Sequence, residues 1–111
     1  MNSGPTVRLR KMKLSDLPAV MAIEHQAFSN PWSTDMVKKE LTQEWSTVLI
    51  CEEVGPGGGW EIRAFAIFWL VADEVHVLNV ATDGAARQRL TLRISTARKS
   101  LTFASVGPVT T

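Results

Sequence analysis

Residues Ala64 to Ala72 form the longest apolar stretch of the chain and set the strongest limit on its fold. The stretch reads Ala-Phe-Ala-Ile-Phe-Trp-Leu-Val-Ala, which suits a strand and is too short for a membrane-spanning helix. Together with the residues before it, it predicts one long strand from Trp60 to Val71, buried on both faces. Such a strand needs a packed layer on each side, so we expect a layered domain.

Two helices are predicted in the first half of the chain. Leu17 to Phe28 carries apolar residues at helical spacing, with Ser15 as the predicted N-cap. Asn30-Pro31 breaks this helix, and Ser33 is placed as the N-cap of a second one.

Three further strands are predicted from β-rich or alternating segments: Thr6 to Met12, Thr47 to Glu53 and Val75 to Thr82. The glycine-rich segment Gly55 to Gly59 lies between two strands, with no helix start after it, and is interpreted as a hairpin loop rather than a phosphate-binding loop. The order is β-α-α-β-β-β with a helix expected next, which predicts an α/β layered fold with a mixed, mostly antiparallel sheet flanked by helices.

Composition excludes several classes of protein. The chain has 111 residues, of which 45% are hydrophobic and 21% charged, as expected for one globular domain. A lone Cys51 excludes a disulfide scaffold and a cysteine-based zinc site, and neither His25 nor His76 has partners at ligand spacing, so no metal is expected. Met1 to Arg10 lacks the apolar segment of a secretory signal, and the predicted location is the cytoplasm.

The charge of the chain is unevenly distributed. All 11 acidic residues lie at or before Asp83, whereas residues 87–111 carry 5 basic residues and none that is acidic. From Leu90 onward, 8 of 22 residues are Ser or Thr. The basic end could contact nucleic acid through phosphates, but it has one aromatic residue and no RNA-binding motif. A solvated, disordered end is the favoured interpretation, without a specific nucleic-acid or membrane partner.

Three segments in a fixed order carry a family resemblance. The first is Val7-Arg8-Leu9-Arg10, followed by Ser15-Asp16-Leu17 and Ile23-Glu24-His25-Gln26-Ala27-Phe28. The second is Asn30-Pro31-Trp32-Ser33. The third is Asp73-Glu74-Val75-His76-Val77-Leu78-Asn79-Val80-Ala81, which leads to Arg87-Gln88-Arg89. In this order they resemble the Gcn5-related N-acetyltransferase (GNAT) fold, and within it the RimI-like ribosomal-protein-alanine N-acetyltransferases. The resemblance covers residues 7–89, about three-quarters of the chain.

The resemblance implies an enzyme that transfers acetyl from acetyl-CoA to the N-terminal amine of a protein, with a ribosomal protein as the expected acceptor. It implies backbone contacts from Val80, Ala81 and Thr82 to the pantetheine arm of the coenzyme. Contacts to the phosphates of the coenzyme would come from Arg87, Gln88 and Arg89, with the positive charge on the two arginines. The acceptor slot would involve Glu24, Phe28, Pro31 and Trp32.

The sequence departs from this family at two places. Leu90 and Leu92 occupy the positions of two glycines that let backbone amides approach phosphate, and the chain contains no Tyr, the family's general acid. We therefore predict a truncated acetyltransferase domain over residues 1–89 and a non-family tail, disordered or aberrant, over residues 90–111. A frameshift, a misassembled exon or a truncated gene would explain the tail. This hypothesis predicts that another reading frame of the DNA after codon 89 encodes Gly-x-Gly-Arg, and finding no such frame would refute it.

The departures leave a second function open. The chain could be a catalytically incompetent fragment that acts at most as a binding module. In that case the uncovered edge of Val75 to Thr82 could also mediate self-association.

Each candidate residue also has a structural interpretation. Glu24, the candidate catalytic residue, could bind or deprotonate the acceptor amine, or be a surface carboxylate that pairs with a Lys or caps a loop. His76 is favoured as a half-buried structural residue and Glu74 as a solvated turn residue. Phe28 and Trp32 could line the slot or seal the helix pair. The remaining tryptophans are interpreted as packing residues: Trp45, Trp60 and Trp69.

Overall fold

The computed structural model of the chain describes residues 7–86, 90–95 and 100–105. Its strands are β1 (Val7–Lys11), β2 (Ser46–Val54), β3 (Trp60–Val71), β4 (Glu74–Thr82), β5 (Leu90–Ser95) and β6 (Ser100–Ser105). Its α-helices are α1 (Leu17–Ala27) and α2 (Thr34–Glu40), and short 3-10 turns lie at Leu14–Asp16 and Gly84–Ala86. In this described part of the chain, no helix has the length and apolar character needed to cross a bilayer.

The main sheet has four strands in the order β1-β2-β3-β4, and each neighbouring pair is antiparallel. Register shifts occur between Cys51 and Glu52 and between Ile67 and Phe68. The glycine segment connects β2 to β3 as a hairpin loop, as predicted, with Gly55 N–H donating to Gly59 O at 2.8 Å. The predicted α/β layered architecture is confirmed.

Strand β3 is buried on both faces, as its apolar sequence predicts. Phe65 and Ile67 face the layer formed by α1 and α2, where they are fully buried among helix residues such as Val20. Ala64 and Ala66 face the opposite side and pack in a second cluster that includes residues of β5 and β6. The sheet is therefore the middle of three layers.

The segment after β4 differs from the expectation of a helix followed by a disordered tail. After the turn at Gly84–Ala86, β5 and β6 pair as an antiparallel hairpin in which Leu92 lies opposite Phe103. Leu90 and Phe103 are buried against the sheet. Disorder is therefore the wrong expectation for residues 90–95 and 100–105, since apolar residues at alternate positions give a strand one buried face. The division of the chain at residue 89 stays a prediction.

The two predicted helix caps have different outcomes. The Ser33 side chain caps α2 by accepting a hydrogen bond from Met36 N–H at 3.2 Å, as predicted. Ser15 does not cap α1, which begins one residue later after the 3-10 turn. The Asp16 carboxylate organises this turn, accepting from Lys13 N–H at 2.7 Å. A carboxylate that can also bind an arginine is held here more firmly than a serine hydroxyl.

An arginine-carboxylate network ties this turn to the sheet. Arg10 on β1 binds both oxygens of Asp16, at 2.7 and 2.9 Å, and both oxygens of Glu52 on β2, at 3.1 and 3.2 Å. Arg8 adds a bond to Glu52 at 2.7 Å. The hydrogen bonds from Arg10 hold the pKa of Asp16 and of Glu52 below their ordinary values.

This network predicts a loss of stability in acid. Because the folded-state pKa values of Asp16 and Glu52 lie below their ordinary values of 3.8 and 4.5, their contribution is present above those values and is lost as the pH falls through the lower folded values. Urea denaturation between pH 7 and pH 3 should show the free energy of unfolding falling in this window. Asp16→Asn or Glu52→Gln should flatten the decline, and an unchanged slope in both variants would contradict the prediction.

The turn between β3 and β4 contains a strained residue. Val71 pairs with Glu74, which leaves a two-residue turn, and its first residue, Ala72, has φ of 53°. Glycine adopts this conformation without the steric cost of a Cβ. We expect Ala72→Gly to raise the free energy of unfolding by about 1 kcal/mol. Chemical denaturation measures this, with Ala85→Gly in the Gly84–Ala86 turn as a comparison; a destabilised Ala72→Gly variant would contradict it.

Candidate functional site

Glu24 lies at the junction of three elements. It is on α1, its side chain is 1% exposed, and its Oε2 accepts from the backbone N–H of Trp32 at 2.9 Å. Its Oε1 accepts from Asn79 Nδ2 on β4 at 2.7 Å. Both carboxylate oxygens are thus engaged by neutral donors. Of the two interpretations of Glu24, the loop-capping one fits this geometry, although the residue is buried rather than on the surface.

The loop between α1 and α2 contains the other residues predicted for the acceptor slot. Phe28 ends α1 in an extended conformation, with its N–H bonded to Glu24 O at 3.1 Å, and its side chain is exposed. Pro31 and Trp32 are half-buried, and Trp32 packs against the core between helices and sheet. Trp32 therefore seals the core, whereas Phe28 projects to the surface next to it.

Strand β4 has an open outer edge next to this loop. In the described residues, only β3 pairs with it. Asp83 N–H donates to Arg63 O at 2.7 Å, so the backbone groups of Asp83 face β3. In an antiparallel pair every second residue faces the same neighbouring strand, and the backbone groups of Ala81 therefore also face β3. The backbone groups of Val80 and Thr82 face the open edge. The structure thus separates the three residues predicted for coenzyme contacts: the backbone groups of two face away from β3 and those of Ala81 face it.

The end of β4 is held by two side chains. Arg63 on β3 binds Asp83 through Nη1 at 3.2 Å, and Gln26 Oε1 on α1 accepts from the backbone N–H of Gly84 at 3.2 Å. Arg63 also binds Glu61 at 2.7 Å, so it is fixed between neighbouring carboxylates. These contacts fix the position of the residues at the end of β4 relative to β3 and α1.

The residues predicted to bind phosphate come directly before the leucine at the first expected glycine position. Arg87, Gln88 and Arg89 lie outside the described residues. Leu90, at the first of the two expected glycine positions, is 8% exposed and packs in the second core cluster with Ala86 and Phe103. Its side chain contributes to the hydrophobic core, whereas the family has a glycine without a side chain at this position.

The other ionisable candidates are apart from this site. His76 is exposed rather than half-buried, and its Nε2 lies 3.0 Å from Glu74 Oε1 in an exposed pair. Cys51 is fully buried in β2, and burial raises the pKa of its thiol to about 11, as expected for an unreactive residue. Among the residues that the structure describes, no three His, Cys, Asp or Glu side chains are grouped so that they could hold a metal ion.

Asn79 is a residue of this junction whose role the sequence motifs do not predict. The signal was present: Asn79 is an amide within the otherwise apolar segment from Val77 to Ala81. A polar side chain in such a strand requires a hydrogen-bond partner when the strand is covered. Its partner is Glu24, which is 55 positions away in the sequence.

The chain is similar in sequence to a Bacillus subtilis (strain 168) protein named for ribosomal protein bS18-alanine N-acetyltransferase activity. The identity is 28% over 74 residues, which cover 66% of this chain and 46% of the relative. The fold is similar to the crystal structure of the ribosomal-protein-S18-alanine N-acetyltransferase from Escherichia coli, with a TM-score of 0.60 and 27% identity. That match covers 74% of this chain and 49% of the other. No model of a known protein family matches the chain.

These findings confirm the resemblance that the sequence motifs indicate. The chain is similar in both sequence and fold to RimI-like N-acetyltransferases, and its α/β architecture corresponds to part of the GNAT fold. It spans about half the length of the proteins that it matches.

Proposed function

We propose that this chain is an acetyl-CoA-dependent N-acetyltransferase that acts on the N-terminal amine of a protein. The observation that carries the proposal is the Glu24 junction, which joins the Phe28–Trp32 loop to β4 beside its open edge. An acetyl donor along β4 and an amine held at the loop would meet there. The two similar proteins suggest a ribosomal protein as the acceptor, and thus a cytoplasmic location.

The outer edge of β4 suits the pantetheine arm of acetyl-CoA. That arm contains two amides, and the free backbone groups of Val80 and Thr82 can pair with amides as a neighbouring strand would. Arg87 and Arg89 follow in the sequence and would supply phosphate charge, whereas the buried Leu90 cannot. The binding residues thus fit the arm of the coenzyme better than its phosphates.

Glu24 acts in this proposal by positioning the loop. Because both of its oxygens already accept hydrogen bonds, it fixes the backbone at Trp32 and hence the slot that receives the amine. When bound, the thioester supplies an activated acetyl group that leaves sulfur for the amine nitrogen, while the amine loses a proton and the sulfur gains one. Phe28, exposed at the mouth of the slot, would contact the acceptor's first side chains.

A binding module without catalysis is the second candidate function. It is favoured by the packing of Leu90 into the core, which replaces a phosphate cradle with a β-hairpin on the sheet. In that case the chain would bind a protein N-terminus, or the coenzyme arm alone, without transfer.

Titration calorimetry of the full chain with acetyl-CoA, alongside desulfo-coenzyme A, tests the proposed function. We expect binding with a Kd of roughly 100 µM or tighter, which is about −5.5 kcal/mol. Circular dichroism establishes that the chain is folded. A folded chain that takes up neither compound at millimolar concentration would overturn the proposal, and binding without transfer to peptide amines would favour the binding module.

Proline substitution tests the β4 edge itself. Thr82→Pro removes an N–H that faces the open edge and takes no part in the ladder, so the fold should persist while affinity for acetyl-CoA falls at least about tenfold. Val77→Pro is the matched control. Leu70 N–H donates to Trp45 O, so the backbone groups of Phe68, two residues earlier on β3, also point toward β2. Val77 is the β4 partner of Phe68, and its N–H therefore points away from β3 toward the open edge. This position is farther from the slot than Thr82. Equal losses in the two variants would contradict the proposed contact.

A further inference from the structure

An apolar pocket lies at the end of the sheet near the β3–β4 turn. It has a volume of about 500 Å³ and is lined by Trp45, Trp69, Leu70, Val71 and Ala72, which we call the tryptophan pocket. Trp45 and Leu70 are joined through the backbone, since Leu70 N–H donates to Trp45 O at 2.8 Å. The sequence predicted Trp45 as a packing residue, but 47% of its surface is exposed.

One wall of this pocket is held in place before any partner binds. Trp69 Nε1 donates to Glu40 Oε1 at 2.7 Å, and the same oxygen accepts from Ser46 Oγ at 2.8 Å. Glu40 is buried. A fixed indole loses little conformational freedom on binding, and tryptophan is enriched among the residues that dominate interface energies. The pocket is large enough for one or two large apolar side chains.

The exposed charged residues that adjoin the lining in the sequence are acidic. Glu44 precedes Trp45, and Asp73 and Glu74 follow Ala72; all three are exposed. Glu74 lies opposite Val71 in the β3–β4 ladder. Residues 40–62 and 64–86, which include the whole lining, contain no Lys or Arg, and the lysine that the structure places beside Glu44 is Lys11 on β1. An apolar centre with acidic neighbours selects for a partner with the opposite charge.

We propose that the tryptophan pocket docks a basic polypeptide segment that presents a large apolar side chain flanked by Lys or Arg. The apolar side chain would fill the pocket, and the basic residues would pair with Glu44, Asp73 and Glu74. An anionic membrane surface and a nucleic-acid backbone carry the same charge sign as these residues. A second copy meeting pocket to pocket would bring its own acidic residues into contact. The inference goes beyond the proposed function and does not depend on acyl transfer.

Fluorescence anisotropy with labelled peptides tests the choice of partner. The probe is a 12-residue peptide that alternates Lys and Leu around a central Trp, compared with versions in which Lys becomes Glu or the apolar residues become Ser. At low salt we expect the basic apolar peptide to bind at least about tenfold more tightly than either comparison, and to weaken several-fold at 300 mM salt. Equal binding of the acidic version, or no binding of any peptide, would overturn the proposal.

Two tryptophan variants locate the binding site. Trp45→Ser should weaken peptide binding at least about tenfold. Trp60→Ser is the matched control: Trp60 is also exposed but lies at the opposite end of β3, where Arg8 stacks on it at 4.3 Å, and its loss should change affinity less than about twofold. Val71→Ser, at an exposed position of the lining, replaces Trp45→Ser should that variant unfold.

The charge of the partner is tested by the triple variant Glu44→Gln, Asp73→Asn, Glu74→Gln, which should lose most of the salt dependence of binding.

Equal weakening of peptide binding by Trp45→Ser and Trp60→Ser would overturn the location of the site. Concentration-dependent dimerisation in sedimentation, abolished by Trp45→Ser, would assign the pocket to a second copy and overturn the proposed partner.

Discussion

Replacement of Glu24 by alanine is expected to lower the free energy of unfolding by about 3 kcal/mol, the combined effect of two lost hydrogen bonds to a charged acceptor. The change leaves Asn79 Nδ2 and the N–H of Trp32 without their acceptor and opens a space among buried residues. Affinity for acetyl-CoA should fall as well, because the loop and β4 would no longer be held together. Urea denaturation and titration calorimetry measure the two effects.

Graded variants separate the buried hydrogen bonds from a general effect of mutation. Glu24→Gln keeps one acceptor and should cost about half as much as Glu24→Ala. Glu44→Ala, at an exposed position, should change stability by less than about 0.5 kcal/mol. A double-mutant cycle of Glu24→Ala with Asn79→Ala should give a coupling of about 1–3 kcal/mol. Additive effects of these two substitutions would contradict the junction.

Replacement of Phe103 by alanine is expected to lower the free energy of unfolding by about 3 kcal/mol. Phe103 is 5% exposed and packs with Leu90 against the face of the sheet that carries Ala64 and Ala66. The substitution removes a large apolar side chain from a cluster with few other large members, so the hairpin should separate from the sheet. Chemical denaturation followed by circular dichroism measures this loss.

The exposed neighbour of Phe103 provides the control for the hairpin. Thr102→Ala should change stability by less than about 0.5 kcal/mol, since Thr102 faces solvent on β6. If the segment were a disordered tail, Phe103→Ala and Thr102→Ala would both leave stability unchanged. The pair of variants therefore decides directly between a disordered end and a packed hairpin.

The hairpin also shows where sequence reasoning failed. Leu90, Leu92 and Ile94 alternate with Thr91, Arg93 and Ser95, which is the pattern of a half-buried strand. The Ser and Thr content of the whole segment outweighed this short pattern and led to the expectation of disorder. What makes the strand stable is its position over Ala64 and Ala66, whose small side chains leave room for Leu90 and Phe103. This fit between small side chains on the sheet and large ones on the hairpin exists only once the sheet has formed.

Local patterns were sufficient for most of the main sheet and its helices. The apolar run of β3, the Ser33 cap and the glycine loop before Trp60 depend on neighbours within a few residues, so the sequence contains all the information needed. The Ser15 cap failed because Asp16 has a partner on another element, Arg10, which the local pattern does not include.

The sequence by itself determined the four strands of the main sheet, the two α-helices and the motifs that indicate an acetyltransferase, because each depends on residues that are close along the chain. Only the tertiary structure decided which groups Glu24 contacts, since its partners come from a loop 8 positions away and a strand 55 positions away. It also decided that Val80 and Thr82, but not Ala81, face the open edge, because that depends on the register with β3. A carboxylate's role follows from its burial and its donors, and both are properties of the folded chain.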